Sequence, residues 1–163
     1  MRKKIAGYVS HWFFKACEDG DVELVKDLLR IANVNQQQSD GFLDDKAHHR
    51  DEAPHLKVTP FLKAAQNGHK DVLPILIRNG ADLTKAISVN LRGMAPFDFS
   101  VGDVLRASRS RAANDKIHPI LEKYVLPLDM VDYIESVSPS EPLRIVKHNT
   151  RKDNPDLGSK QRT

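Results

Sequence analysis

The chain has 163 residues, 40% apolar and 29% charged, with a mean hydropathy of −0.48. At roughly 100–200 residues per domain this is one domain with appendages, and no run approaches the roughly 18 apolar residues of a membrane-spanning helix. The net charge is +3, but the segment from Arg144 onward carries +4 and the remainder −1, which disfavours a uniformly basic nucleic-acid-binding domain.

In chain order, Met1-Arg2-Lys3-Lys4 has the basic start of a signal peptide, yet His11, Lys15 and Glu18 break the apolar run that should follow. Cys17 is the single cysteine, so no internal disulfide is formed and a reducing compartment is expected. Phe13-Phe14-Lys15-Ala16-Cys17-Glu18-Asp19-Gly20 aligns without gaps on Phe61-Leu62-Lys63-Ala64-Ala65-Gln66-Asn67-Gly68. At the same offset Leu24-Val25 falls on Val72-Leu73, and Leu28-Leu29 on Leu76-Ile77. After one deletion, Ala32-Asn33-Val34-Asn35 falls on Ala81-Asp82-Leu83-Thr84. Each copy reads as a helix, a glycine stop, a second helix and a polar exit. The spacing predicts helix pairs over 10–31 and 60–79.

Thr59 and Pro60 suit the cap and first turn of a helix. Ala64 and Ala65 allow a neighbouring helix to approach closely. Val72, Leu73, Leu76 and Ile77 make one apolar face. A weaker third copy starts where Ala95-Pro96-Phe97 echoes Thr59-Pro60-Phe61 and ends where Ile117-His118-Pro119-Ile120-Leu121 echoes Val72-Leu73-Pro74-Ile75-Leu76. It predicts helices over 96–101 and 115–125, with an insertion around Val101 to Asn114.

These residues resemble the ankyrin repeat, a β-turn plus two helices of about 33 residues with a T-P-L-H-x-A signature. The resemblance covers about residues 8–125. It implies an all-α fold: a solenoid of helix-turn-helix units at ~10–35, ~58–84 and ~94–125, with short β-hairpin-like fingers. The family's first-helix histidine is replaced by Phe14, Leu62 and Asp98, and copy one has His11-Trp12 where Thr-Pro is usual. The surplus between copies one and two makes 36–57 an extended finger. Residues 126–147 read as a capping segment with a helix from Pro127, and 148–163 as a disordered basic tail.

The resemblance further implies a non-catalytic scaffold that binds a protein through the concave face and the fingers. In that register Lys15, Glu18, Asp19, Lys63, Gln66 and Asn67 line the face. The fingers add Asp40, Phe42, Leu43, Lys85, Ser88 and Asn90, with Phe42-Leu43 the apolar anchor. Trp12, if exposed, is a second anchor. No catalytic set, metal site or cofactor is expected. Asp44, Asp45, His48, His49 and His55 match no ligand spacing and read as a solvated loop. The alternative is nucleic-acid or anionic-surface binding through the tail and an Arg106, Arg109 and Arg111 patch. A monomer is expected, located in the cytoplasm of its own cell or, after export without a signal peptide, of a host cell.

Overall fold

The computed structural model describes residues 2–42, 55–91 and 93–138. Helix α1 spans Arg2–Asp19, eight residues earlier than the pattern predicts. Its inner face is Phe13, Phe14, Ala16 and Cys17, all buried. Gly20 ends it at φ +75°, a left-handed conformation that side chains disfavour. Asp21 then caps α2, Val22–Leu28, by accepting from the Leu24 N–H at 3.1 Å.

Strands β1, Gln38–Phe42, and β2, His55–Val58, form an antiparallel pair. Thr59 leaves β2 in an extended conformation and caps α3, Pro60–Gln66; Gly68 at φ +78° ends that turn. Helix α4, Val72–Arg78, tolerates Pro74 in its first turn, where the backbone N–H would have no helical acceptor. The polar exits repeat too: Asn33 Oδ1 accepts from Asn35 N at 2.9 Å, and Asp82 Oδ1 from Thr84 N at 3.0 Å. Asn35 Oδ1 also accepts from Asp82 N at 2.7 Å, tying one exit to the next.

Strands β3, Ile87–Asn90, and β4, Phe97–Phe99, form a second antiparallel pair. β2 and β3 are themselves paired over four residues, from His55 opposite Asn90 to Val58 opposite Ile87. The result is one antiparallel sheet in the order β1-β2-β3-β4. This overturns the all-α expectation. Among the described residues seven helices share the chain with a four-stranded sheet, a mixed helix-and-sheet arrangement. The reason lies in side-chain alternation: Leu56, Val58, Ile87 and Val89 all point to one face and are fully buried. The fingers therefore belong to the core and are not appendages of a helical stack.

The third unit corrects a second expectation. Residues 97–99 are strand, not helix, and the supposed insertion is helix α5, Val101–Ala112. Ser100 is the true counterpart of Thr59. Its hydroxyl accepts from Asp103 N at 3.0 Å, while the Asp103 carboxylate accepts from Ser100 N at 2.9 Å, a reciprocal capping box. The predicted helix over 115–125 is reduced to α6, Pro119–Glu122, started by His118. Helix α7, Leu128–Val137, follows Pro127 and buries Met130, Val131 and Ile134. It packs against α4 and α5.

Candidate functional site

Helix α1 lies beside α3, and the two carry equivalent residues at equivalent positions. On α1 the residues turned away from the core are Tyr8, Trp12, Lys15 and Asp19, spaced at helical intervals of four, three and four. Tyr8 is 67% and Trp12 54% exposed, the largest open aromatic surface on the described chain. The His11 ring meets the Trp12 ring edge-on, with centroids 5.6 Å apart. Lys15 and Asp19 form an exposed ion pair at 3.2 Å. The bond to Asp19 and its charge, aided by Glu18, raise the Lys15 pKa.

Of the residues expected to line this face, Lys15, Asp19 and Asn67 are exposed on it. Asn67 donates to the Lys63 carbonyl at 2.8 Å, which fixes the end of α3. Glu18 is half-buried, and its backbone carbonyl meets His69 Nε2 at 2.7 Å. Gln66 is also half-buried, and its Oε1 is buried. Lys63 is drawn inward to Asp40.

Asp40, expected at a finger tip, is instead turned inward. Its carboxylate takes Lys63 Nζ at 3.1 Å and the Tyr124 hydroxyl at 2.8 Å, with Lys123 Nζ at 3.4 Å. Lys123 also donates to the Asp40 carbonyl at 2.7 Å. Burial pushes the carboxyl pKa up, but the Tyr124 and Lys63 hydrogen bonds and the two lysine charges together bring it below the ordinary value. Burial, then the bond to the carboxylate, pushes the Tyr124 phenol well above its usual range. The group is an anchor for β1, with its hydrogen-bonding capacity spent inside the protein.

The sheet candidates sit elsewhere. Ser88 lies on the outer sheet face, accepting from Gln37 Nε2 at 2.6 Å and donating to Asp98. Asn90 is exposed opposite His55, and Phe42 pairs with His55 from the other side. Leu43, Asp44, Asp45, His48 and His49 lie outside the described residues, as does the tail. Tyr8 was missed by the sequence reading. Its signal was its position one helical turn before Trp12, on a helix expected to begin only after it.

The arginine patch is neutralised. Arg106 pairs with Asp103, Arg109 with Asp132 at 2.9 Å and Glu135 at 2.8 Å, and Arg111 with Glu122 at 3.7 Å. An open groove of about 460 Å³ beside it holds Asp98, Asp103, Arg106 and His118. His118 Nδ1 accepts from Ile120 N at 3.1 Å, which commits that nitrogen to capping α6. Cys17 is fully buried, and burial pushes its thiol up to about 12, so it is a neutral packing group at pH 7. No described helix is long and apolar enough to cross a membrane. No family model, curated protein or solved structure matches the chain.

Proposed function

We propose that the chain is a non-catalytic, ankyrin-like scaffold that binds a protein partner through the face formed by α1 and α3. The observation that carries this reading is the exposed Tyr8–Trp12 pair, continued along the same helix by Lys15 and Asp19. Aromatic rings with a wet polar end are the side chains that most often anchor protein contacts, and a charged rim sets orientation. Asn67, the residue that ends α3, widens the strip. The pairing of Arg106, Arg109 and Arg111 with carboxylates favours this reading over anionic-surface binding.

The test is site-specific photo-crosslinking in cells. A photoreactive residue is placed at position 12 or 67, with position 115, exposed between α5 and α6, as control. The expected result is a discrete adduct with a different protein from both face positions and none from 115. Adducts with nucleic acid alone, or a protein adduct from 115 only, would overturn the proposal.

A further inference from the structure

Strand β4 is an end strand of the sheet among the described residues, and it borders the open groove of about 460 Å³. The Phe99 carbonyl accepts from Ala86 N at 2.7 Å, on the β3 side. Backbone groups alternate in direction along an antiparallel strand, so the Asp98 N–H and C=O point away from β3, toward the free edge. Side chains alternate as well. The Phe97 and Phe99 rings meet edge-on with centroids 5.5 Å apart, both half-buried, while Asp98 between them is exposed. The groove runs along α5 from Asp103 to Ser110, with buried Ala107 and Leu121 in its walls. It holds two carboxylates, Asp98 and Asp103, against one guanidinium, Arg106. A free strand edge beside a partly apolar, net acidic groove fits an extended segment in which apolar residues flank a base.

The chain carries such a segment beyond Ser138, the last described residue. Pro142-Leu143-Arg144-Ile145-Val146-Lys147 has two β-branched residues, two bases and no acid. Leu143-Arg144-Ile145 repeats the apolar-charged-apolar order of Phe97-Asp98-Phe99 with the charge reversed. A proline can head a strand, where no ladder donor is needed. The path to the groove is short. Glu135, two residues before the end of α7, bonds Arg109 at 2.8 Å, and Ser110, next to Arg109 on α5, lines the groove. Ser138 leaves α7 in extended backbone, with φ −80° and ψ 140°. Pro139 and Pro142 bias the residues before them the same way. Asp103 and Ser110 stand seven residues apart on α5, roughly 10 Å at the helical rise. Residues 139–143 reach roughly 17 Å when extended. We infer that residues 142–147 add a fifth strand to the free edge of β4, with Arg144 opposite Asp98 and with Leu143 and Ile145 on the side of Phe97 and Phe99. Opposite charges at directly facing positions favour that register. The contact places part of the capping segment expected over 126–147 at the end of the sheet, and it leaves the Tyr8–Trp12 strip to the partner protein.

The experiment is amide hydrogen exchange of the intact chain, followed by NMR and expressed as protection relative to the free peptide. Protection of the Asp98 N–H should be at least tenfold greater in the parent than in Ile145→Glu, a change outside the described residues that should leave the circular dichroism spectrum in place. Asp98→Arg and Arg144→Asp should each lower protection at position 98 at least threefold, because each sets like charges opposite one another. The double variant Asp98→Arg/Arg144→Asp should restore it. Equal protection of Asp98 in the parent and in Ile145→Glu overturns the inference and leaves the edge of β4 to a different protein. Protection that vanishes on dilution overturns it by assigning the added strand to a second copy of the chain. Failure of the double variant to rescue overturns it as well.

Discussion

Asp40 shows how much one residue can decide. It joins β1 to Lys63 on α3 and to Lys123 and Tyr124 beyond α6, contacts that span up to 84 residues of sequence. Asp40→Asn keeps the shape but removes the charge, and it should cost about 1–3 kcal/mol near neutral pH, read by urea denaturation. The folded carboxyl titrates below the unfolded value of about 3.9. Its contribution is therefore complete above that value and is lost as pH falls through the lower folded pKa. The gap between parent and variant should close on acidification below about pH 4; a constant gap would show that shape, not charge, matters. Two glycines give a matched pair. Both Gly20 and Gly68 have left-handed φ, near +75° and +78°, but an added Cβ meets open space at Gly68 and stands 2.4 Å from His69 Nδ1 at Gly20. Gly68→Ala should cost about 1 kcal/mol for conformation alone. Gly20→Ala should cost more in thermal denaturation, because the His69 ring must leave the Glu18 carbonyl.

At the level of elements, the stacked helices and the sheet obey different constraints. Ala64 is fully buried where α3 lies against α1, so Ala64→Leu should lose about 1–3 kcal/mol from overpacking. An unchanged melting temperature would place Ala64 outside the helix contact. The third unit is tested at its cap. Because Ser100 and Asp103 cap α5 reciprocally, Ser100→Ala should cost about 1 kcal/mol. A helix starting at Pro96, as the sequence echo suggests, would make that change neutral. Ser108 adds a second clamp, donating to Val104 O at 2.7 Å and accepting from Leu126 N at 2.8 Å, which holds the approach to α7 against α5.

For the molecule as a whole, α7 closes one end of the helix stack. Tyr133 donates to the Lys70 carbonyl at 3.1 Å, Lys70 pairs with Asp129 at 3.3 Å, and Arg109 bridges to Asp132 and Glu135. The bond to Glu135, then that to Asp132, raises the Arg109 pKa. These ion pairs are open to solvent, and such pairs contribute little. The apolar side carries the closure. Ile134→Ala should therefore cost about 2–5 kcal/mol, while Arg109→Gln should leave stability almost unchanged. The reverse order in urea denaturation would mean that charge, not burial, holds α7.

The signals legible along the chain are short-range ones. Thr59 before Pro60, the alanine pair and Gly68 specify α3 and its stop through capping, small size and backbone freedom, all within a few residues. The Leu-Leu and Val-Leu steps specify α2 and α4 by period. The match of Trp12 to Pro60 made it an anchor candidate only on condition of exposure, and the exposure is what the structure supplies. The structure alone decided the rest. Two hairpins merged into one sheet because β2 and β3, almost thirty residues apart, share a buried face, and strand pairing at that distance leaves no local signature. Pro96-Phe97 misplaced the third unit because a Pro-Phe step suits a strand entry as well as a helix start. Lys63 looked like a surface residue until folding brought Asp40 to it. Tyr8 joins the candidate face because α1 continues back to Arg2, beyond the start that the repeat pattern predicts.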